Sequence, residues 1–428
     1  MSWLTRHRLR RFVKYSFWFY PSLALIAAWI LARGVVEYIP DVDFGLFRQD
    51  NMDSVRAVIG TLAASMMTFI VYAVSALLLA VQLASGQITP RLISLTFGRW
   101  SMKVSTSSFV FSFCLAMVTL GNVSSDQPHN MLISLAIVSN VLSVIIFFWF
   151  IEEVGTGLRP VSVLQYLFAR GREAMDSVYE GRFDAAAPSS GDAPARQTGR
   201  LIARRGTSGA FLAFAVRDLV ALATKTDCTI ELIPQVGDFV SIDDPLARIH
   251  PPDAKISEAT LNALVAFGPE RTMEQDPMFA FRIMVDIGER ALSPTINDPT
   301  TAVLAIDQIH RLLRYAGFKN IDTGRIYDRS GTLRLIFPTP AWDDIVGLAL
   351  TELRHYGANS IQVARRTKAM LEHLITALPQ ARAGALRREL AALENSVARS
   401  FVEEDDRRRA NLADFQGLGG SSSRRDEI

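Results

Sequence analysis

Cysteine is close to absent. Cys114 and Cys228 are the only two in 428 residues, far apart and in dissimilar surroundings, which argues against a disulfide framework. The six histidines show no metal-ligand spacing, so no Cys/His zinc site and no HExxH helix is on offer. The chain also lacks GxSxG and GxxxxGK[ST], two signatures of acyl and phosphoryl transfer. An enzyme is therefore the weakest of the functional readings, and no cofactor is expected. The near balance of 45 Lys+Arg against 43 Asp+Glu names no partner, and no nucleic-acid motif lies among the basic segments.

Charge is missing in a second, local sense. The first 155 residues hold few charged side chains, and the run Val58–Leu83 has none. Four apolar runs, about Ser16–Ala32, Val58–Leu83, Val104–Val123 and Met131–Ile151, approach or exceed the ~20 residues that cross a bilayer core. Residues 1–155 read as a four-helix transmembrane domain. The first run follows a basic start as a signal peptide would, yet "ILARGVV" offers no small-x-small cleavage site and three more runs follow, so it reads as an uncleaved anchor.

Orientation follows from lysine and arginine. Arg6, Arg8, Arg10, Arg11 and Lys14 precede the first run, and Arg91, Arg99 and Lys103 follow the second. The loop after the third has neither Lys nor Arg, whereas Arg159, Arg170 and Arg172 come soon after the fourth. The loop after the first run carries Asp41, Asp43, Asp50 and Asp53. Both termini are expected in the cytoplasm. Ionisable groups are missing from mid-span, where a charged relay would need them. Instead the second run has small residues at four-residue steps, Gly60 and Ala64 among them, and the third has hydroxyls, Ser108 and Ser112 among them. Close helix packing is one reading; a hydroxyl-lined pore in a homo-oligomer is the other.

Beyond the spans a basic amphipathic helix and a linker rich in Ala, Pro, Ser and Gly fill 156–205. Short β-rich pieces around one helix occupy 206–254. Within them "QVGDFVSIDDPLARIHP" resembles the half-barrel of biotinyl and lipoyl carrier modules, so a small barrel-sandwich-like β module is expected. No lysine stands at the turn where a cofactor would attach, and only the fold is carried over. Residues 255–413 read as a mainly helical domain with one β-hairpin around Asp328-Arg329-Ser330-Gly331, and 414–428 as a disordered tail. The fold class is thus a multi-pass α-helical membrane domain followed by a cytoplasmic α+β domain.

The stretch "ERALSPTINDPTTAV", Glu289–Val303, poses the functional question. Asp276-Pro277 and Asp298-Pro299 each have the form of a helix start, Asp as cap and Pro in the first turn. The helix from Pro277 is apolar around most of its circumference, which implies burial. Yet Arg282, Asp286 and Arg290 form a ladder at four-residue steps, with Glu289 beside them. Buried charges must pair or line a groove. Arg271, Asn297, Asp298, Thr300 and Thr301 complete the candidate set for an anionic ligand or ion, since a helix N-terminus attracts anions. A structural salt-bridge network is the alternative. Whether a metal is bound is left open, with Asp286, Glu289 and Asp298 as possible Mg²⁺ ligands.

The four spans, "ITPRLISL" after the second, the Gly-Asp-Phe-Val turn and "RALSPTINDPTTA" together resemble a family of predicted bacterial membrane proteins of unknown function. The resemblance implies a bacterial cytoplasmic-membrane location, with the bilayer as first partner, and brings no catalytic residues. Two roles compete: an oligomeric channel or passive transporter regulated by its cytoplasmic domain, and a membrane-anchored sensor that binds an anionic ligand or nucleotide.

Overall fold

The structure, a computed structural model, describes residues 3–16, 18–38, 52–87, 100–123, 129–157, 159–179, 181–183, 199–321 and 324–419. The loop arginines Arg91 and Arg99, the aspartates Asp41, Asp43 and Asp50, most of the linker and residues 420–428 lie outside them. Two compact units divide the chain, Leu9–Arg159 and a second made of Met1–Arg8 with Pro160–Ile428.

After the N-terminal helix α1 (Trp3–Tyr15), the first unit holds four helices long and apolar enough to cross a membrane. They are α2 (Phe19–Tyr38), α3 (Met52–Gln87), α4 (Trp100–Asn122) and α5 (Asn130–Gly157). Each runs past its apolar run, because once a turn is made the next polar residue adds a backbone bond at little cost. Helix α4 is the hub, packing on α2, α3 and α5. Small residues let it do so: Ala28 and Ala32 of α2 meet Leu115 and Ala136, and Ile59 and Ala63 of α3 meet Ala116 and Ile133. Arg33 and Glu37, four apart on α2, form an exposed ion pair at 2.7 Å.

The second unit opens with α6 (Pro160–Val178) and then builds two small sheets. Strands β1 (Arg200–Ala203), β3 (Thr229–Leu232), β5 (Pro245–His250), β7 (Arg325–Tyr327) and β8 (Leu333–Ile336) form one sheet in the order β1-β5-β3-β8-β7. Its β3–β8 pair is parallel and the rest antiparallel. Strands β2 (Gly209–Phe214), β4 (Phe239–Val240) and β6 (Val265–Gly268) form the other, ordered β4-β2-β6. Both sheets, with α7 (Val216–Lys225), close on one core of Phe211, Phe214, Ile230, Leu246 and Leu335.

The sheets therefore draw strands from outside 206–254, and β4 and β5, expected as successive strands of one half-barrel, belong to different sheets. The observed architecture is two small sheets, one of them mixed. Gly237 sits in the turn before β4 with φ +99°, and a Cβ there would lie 1.9 Å from the Arg271 guanidinium. The turn thus needs glycine for its backbone and for its neighbour.

After the short helix α8 (Glu258–Asn262) the chain becomes helical: α9 (Pro277–Ala291), α10 (Pro299–Gly317), α11 (Trp342–Gly357), α12 (Ile361–Ala377), α13 (Ala383–Ser400) and α14 (Glu404–Ala410). Helix α9 is enclosed by α6, α10 and α11, which is why it is apolar nearly all round. The expected tail does not begin at 414. Asp414 is 4% exposed, accepts from the N–H groups of Gln416, Gly417 and Gly419, and so folds that strap against α12. There Gln362 donates to the Gly417 carbonyl and Arg365 to that of Gly419. A buried carboxylate answering three backbone donors outweighs the glycine-rich composition that suggested disorder.

Candidate functional site

The charge ladder resolves into an ion-pair cluster centred on Arg282. With α9 enclosed on its other sides, Arg282, Asp286 and Glu289 share the one half-buried face left. Arg282 Nε meets Asp286 Oδ1 at 2.5 Å and Nη2 meets Glu289 at 3.4 Å, while Nη1 bonds Glu352 of α11. One guanidinium thus serves three carboxylates. Burial, a hydrogen bond with Glu352 and its negative charge push the Glu289 carboxyl up to about 7. Glu352 is held low by that hydrogen bond and by Arg282. The arrangement braces α9 to α11.

The other candidates of this stretch are placed elsewhere. Arg271 pairs with Asp276 at 3.2 Å and packs on the Gly237 turn. Asp276 caps α9 through the Phe279 N–H, and burial pushes its carboxyl up to about 6. Arg290 lies half-buried one turn beyond Asp286, its carbonyl accepting from Ser293 Oγ. Asn297 adopts φ +48° and its N–H bonds the Ser293 carbonyl, closing the turn; asparagine tolerates that conformation better than most residues. Asp298 accepts from Thr301 N–H at 3.1 Å and from Thr301 Oγ1 at 2.5 Å, so the α10 N-terminus is capped by its own side chains, and Thr300 is exposed. Among the described residues no three His, Cys, Asp or Glu gather as a metal site. The set Asp286, Glu289 and Asp298 is not assembled.

In the spans, Ser108 and Ser112 face α5. Ser143 bonds Ser112 at 2.7 Å and Ser108 at 3.0 Å, and Ser112 also donates to the Ser139 carbonyl. These hydroxyls join two helices. Gly60 and Ala64 look away from the bundle: a Cβ on Gly60 would meet nothing within 4 Å, and Ala64 is exposed.

A cavity of about 450 Å³ opens where α6, α10 and α12 meet. It exists because α6 lies very close to α9 and α10. A Cβ at Gly171 would stand 2.9 Å from both Ala280 and Leu312. One turn before that contact, Phe168 turns its ring to the cavity, and the Arg311 guanidinium lies over it at 4.1 Å. Arg314 and Tyr315 follow along α10, and Phe318 caps its end. Among the described residues neither Arg311 nor Arg314 has a carboxylate partner; Arg311 bonds only the Gln308 amide oxygen. The nearby cations are already answered, Lys319 by Asp176 at 2.6 Å and Arg366 by Asp307 at 2.6 Å. Burial would raise the Asp176 carboxyl, yet hydrogen bonds from Lys319 and Tyr315 hold it below its usual range.

The back wall is a histidine pair. Arg366 Nη2 can only donate, so His310 Nδ1, 3.2 Å away, accepts. The His310 proton is then on Nε2 and is donated to His373 Nδ1 at 2.8 Å. Burial, reinforced by Arg366, His373 and Arg314, pushes His310 down to about 4, which agrees with a neutral ring. The site therefore offers two uncompensated guanidiniums at an aromatic wall, backed by a fixed neutral imidazole.

Sequence reasoning passed over every one of these residues. The signal was present: from Gln308 to Phe318 the chain reads "QIHRLLRYAGF", with two arginines, a histidine and two aromatics but no acid. Phe168 and His373, distant in sequence, could not have been joined to it without the fold.

The family described as "Predicted membrane protein (DUF2254)" matches residues 14–373, a span that holds all seven cavity residues. The chain belongs to this family. It is 25% identical over 378 residues to uncharacterized proteins of Mycobacterium bovis and of Mycobacterium tuberculosis, covering 85% of this chain and 72% of each relative. No solved structure matches the chain.

Proposed function

We propose that this chain is a bacterial inner-membrane receptor, in which four spans anchor a cytosolic unit that binds a phosphate-bearing anion between α6, α10 and α12. The observation that carries the reading is the pair Arg311 and Arg314 at the cavity without a carboxylate partner among the described residues. Exposed arginines are common, but an arginine such as Arg311, its guanidinium over an aromatic ring beside a cavity, is preorganised for phosphate. The distribution of basic residues around the spans supports cytoplasmic termini. The role is recognition, with no catalytic step assigned.

Full-length protein in nanodiscs of zwitterionic lipid, titrated calorimetrically with pyrophosphate, tests this reading. Binding that falls about tenfold or more in Arg311→Gln and Arg314→Gln supports it, at one charged hydrogen bond lost per variant. Nanodiscs containing anionic lipid separate the sources. Pyrophosphate affinity unchanged by such lipid marks a soluble ligand, and affinity competed away by it marks a headgroup. No binding by folded protein in either lipid refutes the receptor.

A second reading, an oligomeric channel or passive transporter, draws on the uncovered small-residue face of α3. Gly60 and Ala64 there leave room for a helix of another copy. Selective ion flux from proteoliposomes, abolished by Gly60→Leu, would favour it; absence of flux with inserted protein would remove it.

A further inference from the structure

The cavity is larger and more apolar than an inorganic phosphate requires. Phe168 forms one wall with Arg311 laid against it, and Phe318 contributes a second ring, 42% exposed although large and apolar. Both line the open cavity of about 450 Å³, a size that suits an organic ligand. Phosphate alone would leave the Phe318 ring facing water.

Arg311 and Arg314 lie three residues apart, on the same face of α10, so two guanidiniums can reach one phosphate chain. The imidazoles form a wall of fixed polarity, since the Arg366–His310–His373 series sets the direction of each hydrogen bond. Both His310 nitrogens are engaged in that series, so this wall is a fixed, neutral surface beside the two guanidiniums. Tyr315 does not compete for the ligand's polar atoms, because its hydroxyl is engaged by Asp176.

Resting on the receptor reading above, we infer that the ligand is a nucleoside phosphate, its base packed against Phe318 and its phosphates held by Arg311 and Arg314.

The experiment is a three-ligand comparison by calorimetry on full-length protein in zwitterionic nanodiscs: ATP, pyrophosphate and adenosine. The inference expects ATP to bind at least tenfold more tightly than pyrophosphate, because base stacking on an aromatic ring contributes roughly five- to a hundredfold. Phe318→Leu, which leaves the Arg311–Phe168 contact in place, should lower ATP affinity toward that of pyrophosphate while leaving pyrophosphate binding within twofold. Arg314→Gln should weaken both. Equal affinity for ATP and pyrophosphate in the wild-type protein overturns the nucleoside part and leaves the anion receptor standing. Binding of neither phosphate, with thermal unfolding unchanged, overturns the receptor as well. The wild-type comparison depends on no variant, so a misfolded Phe318→Leu protein cannot rescue the idea.

Discussion

Replacing Arg282 with methionine separates a structural brace from a ligand site, because the two roles predict opposite patterns. The guanidinium answers Asp286, Glu289 and Glu352, and its side chain is only 26% exposed. Breaking a fully buried ion pair costs 3–5 kcal/mol and an exposed one under 1. The partial exposure places this loss between, at about 2–3 kcal/mol near pH 8. For a unit of this size that lowers the unfolding midpoint by roughly 5–10 °C. The loss has a definite pH dependence. Glu289 is raised to about 7 in the fold from an ordinary 4.5, so the folded state holds its proton more tightly than the unfolded state. The stability linked to that proton is fully present below about 4.5 and is lost as pH rises through 7. Without Arg282 the three carboxylates repel more strongly, and the variant should lose stability more steeply than wild type across that interval. Arg282→Met combined with Glu289→Gln should recover much of the loss at pH 8. Thermal unfolding in detergent at pH 5 and pH 8 gives the comparison. An Arg282→Met protein within 1 °C of wild type at pH 8, but defective in phosphate binding, would refute the brace.

Three further outcomes follow from named contacts. Asp298→Ala should lower stability by about 1 kcal/mol, the usual cost of a helix cap, with pyrophosphate affinity unchanged by calorimetry; a tenfold affinity loss would return the α10 N-terminus to the list of sites. Neutral His310, depressed to about 4, contributes stability that is present above the unfolded value near 6.5 and lost as pH falls toward 4. Discounted for its partial exposure this is roughly 2 kcal/mol, so His310→Gln should flatten the urea-midpoint change between pH 7 and 4.5, and an unchanged slope would contradict the assignment. Asp414→Ala removes the acceptor of three backbone N–H groups and should release the 414–419 strap to limited proteolysis, whereas wild-type resistance in the variant would show the strap is held by other means.

How much of this was legible in the sequence depended on whether the cause was local. The apolar runs that became α2 to α5 and the Asp-Pro starts of α9 and α10 are written within a few residues of themselves. The hairpin of β7 and β8 likewise follows from the Asp328–Gly331 turn. The sheets were harder, because β3 takes β8 as a parallel neighbour about a hundred residues away, and no local pattern names a parallel partner. The β-rich pieces were visible, but their assignment to two sheets was not.

The site divides along the same line. Asp286 and Glu289 drew attention because charge on an apolar helix is conspicuous, yet conspicuous charge on a buried helix is where the fold must supply partners, and Glu352 supplies one from α11. Arg311 and Arg314 drew none, because they stand on the outer side of an ordinary amphipathic helix, where arginine is expected. What distinguishes them is a lack of carboxylate partners among the described residues, and that is a property of space. The Gly171 contact that seats α6, the Phe168 ring one turn away and the Asp307–Arg366 pair that settles the neighbouring charge together leave those two cations facing a cavity. A search of sequence for charge finds the groups that folding neutralises; a search of structure for charge left over finds the ones available to a ligand.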